Sequence, residues 1–560
     1  MFIAYPENIA EHLERVIGEW ARRNRLSTHL HGKFVVRCSD RWTVSKWGNV
    51  IEFFEGVAYE WPTCQTRSAP ERHARLSNSI GYFTSILLGL ETLEVVRSLY
   101  RATDLFYTEL DGMMLVCSEL AAIVALRGGF ASQRIDVGYC HDFIAHQQQF
   151  DGHTSFENIR EVMLGECIRM STSEIVSAAF VNQPIVPNGD IVDTLRDTLA
   201  AFTPPFDSTV LMFSGGLDSS TLLWTLLANG TKPLVLHSES DPDARDSEYQ
   251  DAAAVALDLG CEIQRFVPER EDFSRAFTIS TDSSSSSPND VSIFRSRSPT
   301  RSSPSIDETS LLITGHGGDH VFIQNPENNS CLAALQAGRV LEYVRTVRKL
   351  SRLKGRRGVE IVCHNLRLLT GARSLSGSFP GWLPRPRHRS ARRTGHYLIR
   401  DLDRRTAKYS HLSAILQALQ STCIPRNGPP MLAPLLLQNV IGHMIGIPVP
   451  DTFTETHDRV TLRESIYRKS GKSFAWRRTK RASSAFLFDL LSQSEANITD
   501  LIDRSHFVTL LHIDRDALLA EVRQNCRIAL TENFKHIVNL YKIEAHLRSI
   551  EHQSASLTRP

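Results

Sequence analysis

The chain has 560 residues, with 63 Lys and Arg against 62 Asp and Glu, a formal net charge of +1 with histidines neutral, and 42% hydrophobic residues. That length supplies about two or three domains with ample material for a core. A charge so evenly balanced singles out no particular partner, and the composition is that of an ordinary soluble globular protein.

The opening "MFIAYPENIAEHLERV" lacks the basic start and apolar core of a signal peptide. Ten cysteines occur singly with no CxxC pair, which argues against a zinc site and fits reduced thiols in a cytosol. The most apolar window, "MLAPLLLQNVIGHMIGIPVP", is broken by Pro434, Gln438, Asn439, His443 and Pro448. It predicts a buried helix, not a membrane span. The expected location is cytoplasmic.

Residues 1 to about 185 are rich in short strands. "HGKFVVRCSD", "VIEFFEGVAYEW", "LFYTELDGMMLVCS" and "CIRMSTSEIVSAAFV" read as strands, the third as a hairpin turning at Asp111-Gly112. "PNGDIVDTLRDTLAAF" then begins a helix with an aspartate in its first turn, and "VLMF" is a short apolar run of the kind found in parallel sheets. Further strands are expected at "PLVLHSES", "EIQRFVP" and "SLLIT", with a serine-capped, Gly-stopped helix at "DSEYQDAAAVALDLG". Strands alternating with helices from Val210 to Phe322 predict a doubly wound α/β domain with a mostly parallel sheet.

Two segments interrupt that pattern. Residues 280–308, "STDSSSSSPNDVSIFRSRSPTRSSPSIDE", form a low-complexity Ser-rich loop expected not to pack. Nucleic-acid binding by its Arg-Ser pairs is the alternative, but the run is short and sits inside a catalytic-looking domain, which favours a flexible loop. Residues 339–405 hold eighteen Lys and Arg against four Asp and Glu. They read as a solvated helical face plus a loop, with docking of an acidic peptide or leader as the alternative.

The chemistry concentrates in two Gly-rich turns. In "SGGLDSS" the glycines Gly215 and Gly216 admit positive φ and leave room for an anion against the backbone. The amides of Gly216, Leu217, Asp218, Ser219 and Ser220 are expected to point into a concavity at the positive end of a helix, which is a phosphate site. An ordinary Gly-rich turn is the alternative, but the flanking strand and helix favour phosphate. No lysine follows the second glycine, so this is not the G-x-x-x-x-G-K-[ST] loop. Asp218 sits where a carboxylate beside phosphates suggests a Mg²⁺ ligand.

The second turn, "ITGHGGDHVF", ends another buried strand and places Asp319 after glycines. At the carboxyl edge of one parallel sheet, Asp218 and Asp319 are expected to face one metal-bound phosphate chain. His316, at the rim of that crevice, is a candidate proton acceptor near pH 7, against the alternative of a satisfied structural histidine. Farther on, "LRESIYRKSGKSFAWRRTKRASSAF" carries Arg463, Arg477, Arg478, Lys480 and Arg481. One cation from this run is expected to reach the α-phosphate; by charge pattern alone it is a basic surface helix.

SGGLDSS followed by a GxGxD turn resembles the ATP pyrophosphatase domain of the asparagine synthetase superfamily, which includes asparagine synthetases, β-lactam synthetases and lasso-peptide macrolactam cyclases. The resemblance covers nearly the whole chain. "LFYTELDGMMLVCSELAAI" and "HTSFENIREVMLGECIRMS" resemble the family's glutaminase-domain segments. "PMLAPLLLQNVIGHMIGIP" and "HDRVTLRESI" resemble its C-terminal helices. It implies a degenerate Ntn-type αββα domain over residues 1–188, and a doubly wound parallel-sheet ATP-dependent synthetase domain with helical additions over 189–560. It implies ATP and Mg²⁺, with nucleotide held by Ser214, Gly215, Gly216, Leu217, Asp218, Ser219, Ser220 and Gly315, and metal by Asp218 and Asp319. It also carries the family's phosphate-contacting lysine onto Lys480, although Arg481 replaces the glycine often found after it.

Departures narrow the reading. The family's glutaminases have a cysteine directly after the initiator methionine, whose thiol attacks glutamine; this chain has Phe2, and no thiol precedes Cys38. The nitrogen nucleophile is therefore expected to arrive with the substrate. After the first glycine of the second turn, asparagine synthetases carry an acidic residue and β-lactam synthetases a tyrosine. His316 in "GHGGD" resembles the lasso cyclases. The implied reaction adenylates a side-chain carboxylate of a precursor peptide and joins it to the peptide's N-terminal amine, with His316 and Lys480 catalytic. A leader peptidase and a leader-binding protein are the further partners implied, with no nucleic acid. A β-lactam synthetase-like or ammonia-dependent asparagine synthetase-like enzyme is the alternative.

Overall fold

A computed structural model describes residues 1–60, 75–147, 150–238, 248–266, 276–279, 287–293, 306–370, 380–384, 395–422, 429–477, 484–528 and 533–558. Two six-stranded antiparallel sheets stack at the N-terminal end. The first runs, in spatial order, Arg160–Glu161, Phe106–Leu110, Met113–Cys117, Phe2–Pro6, Phe34–Cys38 and Ser27–His31. The second runs Ile175–Phe180, Glu166–Met170, Leu93–Arg97, Ser79–Leu88, Val50–Glu60 and Thr43–Trp47. Alternation turns Phe2, Phe34, Val36 and Val116 of one sheet onto Phe53, Ile86, Val95 and Ile168 of the other. The Asp111-Gly112 turn of the expected hairpin has φ of 52° and 76°, the paired positive values of a type I′ turn.

Phe2 is fully buried in this core, its ring 4.8 Å from Trp42 and edge-on to Phe53 at 5.7 Å. Its strand neighbour Cys38 is buried too, and burial pushes that thiol up from its ordinary pKa.

Helices Glu11–Arg23, Leu120–Leu126 and Val137–His146 cover the outer face of the first sheet, joined there by the chain's last long helices, Ser484–Asp503, Arg515–Arg527 and Phe534–Thr558. On the second sheet the covering layer comes from the other half of the molecule. Tyr59 meets Phe202 edge-on at 4.5 Å, and Gln438 bonds Gly81 through both its oxygen and its nitrogen, at 3.0 and 2.9 Å. Ile185, in the connecting segment, passes so close under helix Gln438–Ile445 that a Cβ on Gly442 would lie 1.9 Å from its carbonyl oxygen.

The second half is built on five parallel strands in the order Gln264–Phe266, Leu234–Ser238, Ser208–Met212, Ser310–Thr314 and Met431–Leu432. The order reverses between Ser208–Met212 and Ser310–Thr314, which creates a crevice at their carboxyl ends. Both Gly-rich turns open there.

Two expectations need correction. The window from Met431 is no single buried helix. It gives an edge strand Met431–Leu432, a 3₁₀ turn Pro434–Leu436 and a helix Gln438–Ile445, because Pro434 lacks the N–H that a continuous helix would use. Residues 287–293 of the Ser-rich loop do pack: Ser287 caps a turn Pro288–Asp290, and Asp290 pairs with Arg101. The basic segment contains helices Val340–Lys354 and Gly358–Leu369, where Arg348 and Arg352 both pair with Glu455. Among the described residues no helix is long and apolar enough to cross a membrane.

Candidate functional site

The strand Ser208–Met212 delivers the chain into Ser214-Gly215-Gly216, after which helix Leu217–Ala228 begins with Gly216 as its N-cap. Gly215 has φ +70°, and a Cβ there would fall 2.6 Å from the Ala252 Cα of the neighbouring helix. Both the conformation and the approach demand glycine. Ser214 and Ser219 brace the turn, their hydroxyls 3.2 Å apart and the Ser214 N–H donating to Ser219 Oγ at 3.3 Å.

The second turn packs directly on the first. A Cβ on Gly315 would lie 3.2 Å from the Ser219 nitrogen, and one on Gly318 would lie 2.5 Å from Asp218 Cγ. Around them opens a cavity of about 640 Å³, lined by Ser214, Gly215, Gly216, Leu217, Asp218, Ser219, Gly315, His316 and Asp319 among others. Eight of the nine residues expected to hold nucleotide or metal therefore share one crevice. Ser220 does not line it. Its N–H donates to the Gly216 carbonyl at 3.0 Å as the first bond of the helix, and its side chain is buried, so the count of amides open to a phosphate stops before it.

Asp218 and Asp319 meet across the crevice through a residue to which the sequence reading gave no role. Arg459 Nη1 donates to Asp218 Oδ2 and to Asp319 Oδ1, each at 2.9 Å. Its side chain is 6% exposed. Burial works against its charge, but the carboxylates of Asp218, Asp458 and Asp319 outweigh that and hold the guanidinium above its ordinary pKa. Arg459 has φ +54°, a left-handed conformation that costs a non-glycine residue about 1–3 kcal/mol. Nothing in "HDRVTLRESI" signals that backbone state.

The two aspartates thus converge on a single cationic point. Among the described residues no group of three or more His, Cys, Asp or Glu is placed to hold an ion. The arrangement fits a divalent cation that takes one or two carboxylates and completes its shell with phosphates and water.

His316 lines the same cavity. Its Nε2 lies 3.2 Å from the Ala418 carbonyl oxygen and 3.1 Å from Ser421 Oγ, at the end of helix Ala407–Gln420. A carbonyl only accepts, so Nε2 carries the hydrogen and Nδ1 keeps the lone pair. One turn on, burial depresses the His320 pKa, with His316 adding to the effect. His237, also missed in the sequence, lines the cavity and donates from Nδ1 to the Phe213 carbonyl at 2.8 Å, while its Nε2 is buried.

The expected phosphate cation, Lys480, lies outside the described residues, as do Arg478 and Arg481. Of the described cations from that run, Arg463 is buried and bonds the Asp458, Ala475 and Arg477 carbonyls. Burial, then Arg459, lowers its pKa. Arg477 lines the cavity and pairs with Asp251 at 3.2 Å.

Comparison with known proteins places these turns in context. A family model described as asparagine synthase matches residues 193–548. The chain is 23% identical over 486 residues to the microcin J25-processing protein McjC of Escherichia coli, covering 85% of this chain and 88% of that one. Among solved structures, the allosteric regulatory enzyme of purine biosynthesis aligns at a TM-score of 0.20 and 10% identity, over 48% of this chain and 80% of that one. Glutamine phosphoribosylpyrophosphate amidotransferase from B. subtilis aligns at 0.19 and 11%, over 57% and 76%. Likeness at those TM-scores is too slight to carry weight. The family match spans well over half of the sequence and contains both Gly-rich turns, Arg459 and the parallel sheet. The chain belongs to the asparagine synthase family and is an ATP-dependent ligase.

Proposed function

We propose that this ligase forms the macrolactam ring of a lasso peptide. A side-chain Asp or Glu carboxylate of a precursor peptide attacks the α-phosphorus of ATP, and pyrophosphate leaves. The peptide's N-terminal amine then attacks the acyl carbon of the adenylate, and AMP leaves. The peptide product is lighter by one water. The observation that carries this reading is His316: an imidazole in the crevice, its hydrogen committed through Nε2 to Ala418, its basic nitrogen Nδ1 available to take the amine's proton.

The other residues divide the work. The amides of Gly216 to Ser219 at the helix N-terminus receive phosphate oxygens. Asp218 and Asp319 would hold Mg²⁺, which supplies charge neutralisation along the phosphates. Lys480, carried by resemblance, steadies the charge that develops as pyrophosphate departs. Presenting amine and activated acyl group from one prefolded peptide makes the second step effectively intramolecular, worth up to ~7–11 kcal/mol of barrier. The similarity to a microcin-processing protein over most of both chains supports a peptide substrate. A leader peptidase that frees the amine and a leader-binding protein are the partners this chemistry calls for.

The test is direct. Purified protein is given ATP, Mg²⁺, a leader-bearing precursor peptide encoded beside its gene and the matching peptidase, and AMP and peptide mass are followed. An ATP-dependent core peptide lighter by one water, resistant to unthreading, is the expected result. AMP formed only with free aspartate and ammonia would instead assign an asparagine synthetase-like reaction and remove His316 from the role of amine base.

A further inference from the structure

Behind His316, the interface between the two halves is charged and buried. Arg101, on the N-terminal half, is 5% exposed. Its Nε donates to Asp104 Oδ1 at 3.0 Å and its Nη2 to Asp290 Oδ2 at 2.9 Å. Its Nη1 donates to two main-chain carbonyls on the other half, Gln420 at 2.8 Å and Thr422 at 3.3 Å. Asp104 is itself clamped by Arg97, which is fully buried. A second tie runs beside this one: Gln417 Nε2 donates to Gln147 Oε1, and Gln147 Nε2 to Asn289 Oδ1, both at 3.1 Å.

Gln420 and Thr422 flank Ser421, and Gln420 lies two residues after Ala418, the other group that holds His316. The Ala418 carbonyl and the Ser421 hydroxyl belong to the same final turn of helix Ala407–Gln420, and Ser421 Oγ donates to Ala418 O at 3.0 Å. Carbonyls at a helix C-terminus have no partner within the helix, and a buried cation both satisfies them and meets the negative end of the dipole. The planar fork of arginine can serve Asp104, Asp290 and the carbonyls at once; a lysine is a point charge and cannot.

We propose that Arg101 is a positioning residue for the ligase: it fixes the end of helix Ala407–Gln420, and through Ala418 and Ser421 it fixes the tautomer and aim of His316. The inference rests on the reading of His316 as amine base. It gives the N-terminal sandwich, which places Phe2 where the resemblance expects a nucleophile, a present duty in ring closure.

Two step-resolved readouts test it: peptide-dependent ATP–pyrophosphate exchange for adenylation, and single-turnover formation of cyclised peptide for ring closure, the latter across pH. Arg101→Lys keeps the charge and loses the fork. The expected result is exchange within about twofold of the parent, ring closure slowed about tenfold or more, and a displaced acid limb in the pH profile of ring closure. Gln147→Gly removes the neighbouring tie without straining a residue that already has φ +53°, and should move the same readouts in the same direction by less. In a His316→Ala background, Arg101→Lys should add no further loss to ring closure. Equal slowing of both steps with an unchanged pH profile would make Arg101 a structural residue only and overturn the proposal, as would an additive loss on His316→Ala. If Arg101→Lys does not fold, an undisturbed ring-closure profile in Gln147→Gly overturns it instead. Failure of the His316 reading looks different: His316→Ala would then leave ring closure as fast as adenylation.

Discussion

Arg459 Nη1 donates to Asp218 Oδ2 at 2.9 Å, and the same nitrogen binds Asp319. The two carboxylates assigned to a metal already share an internal counter-cation, so any divalent ion must displace or join it. Arg459→Gln should cost about 3–5 kcal/mol of stability by stranding two carboxylates. It should also make Mg²⁺ alone stabilise the protein more than it does the parent. Thermal unfolding with and without Mg²⁺ checks both; an unchanged response to the ion would remove Arg459 from that position.

Asp218→Asn and Asp319→Asn keep shape and hydrogen-bonding capacity while removing charge. Each should lower AMP formation by about 100-fold or more with little change in fold, since Arg459 retains Asp458 and the other aspartate. Turnover within a few-fold of the parent would show that neither aspartate handles metal or phosphate.

Replacing His316 separates the two chemical steps. His316→Gln should retain adenylation and slow ring closure by about 10²- to 10⁴-fold, the usual contribution of a general base. Exchange and single-turnover assays read the two steps independently, and parallel loss of both would count against the role.

Acid should loosen the same region. Burial holds His396 and His411 neutral, with pKa values pushed down to about 4 from 6.5. Between those values the unfolded chain binds more protons than the folded one, so stability is full above pH 6.5 and falls as pH drops towards 4. Each residue accounts for up to ~3 kcal/mol of that loss. His411 Nε2 donates to the Val321 carbonyl at 2.9 Å, on the short helix that carries Asp319. His411→Asn should flatten the slope of melting temperature against pH in this window. A slope identical to the parent's would show that the residue does not titrate there.

Much of the architecture was legible because it rests on short-range rules. Asp111-Gly112 dictated its own turn, and each of the two Gly-rich turns stood out by closing a buried strand and carrying an aspartate, the first also by opening a helix. The resemblance to the asparagine synthetase superfamily, read from those turns, is borne out by the family match. What stayed hidden depends on tertiary partners. The strand Phe2–Pro6 is fully buried on both sides, so no alternation marks it. Met431–Leu432 is a strand only because Leu312 and Ile313 lie beside it. Arg459 acquires its role from a left-handed backbone and from aspartates more than a hundred residues away, and no local pattern encodes that.

The packing of helix Phe534–Thr558 on helices Leu120–Leu126 and Val137–His146 has a consequence for biogenesis. The sandwich precedes the ligase half along the chain, yet one of its outer apolar faces is closed by a helix that follows that half. Ile123, Phe143 and Ile144 wait through synthesis of the entire ligase half for Leu540, Ile543 and Leu547 to arrive. Contacts of such sequence separation are slow to form, so the nascent protein holds a sticky surface for most of its translation. A chain cut short of helix Phe534–Thr558 keeps that apolar surface uncovered, and exposed surface of this kind favours aggregation.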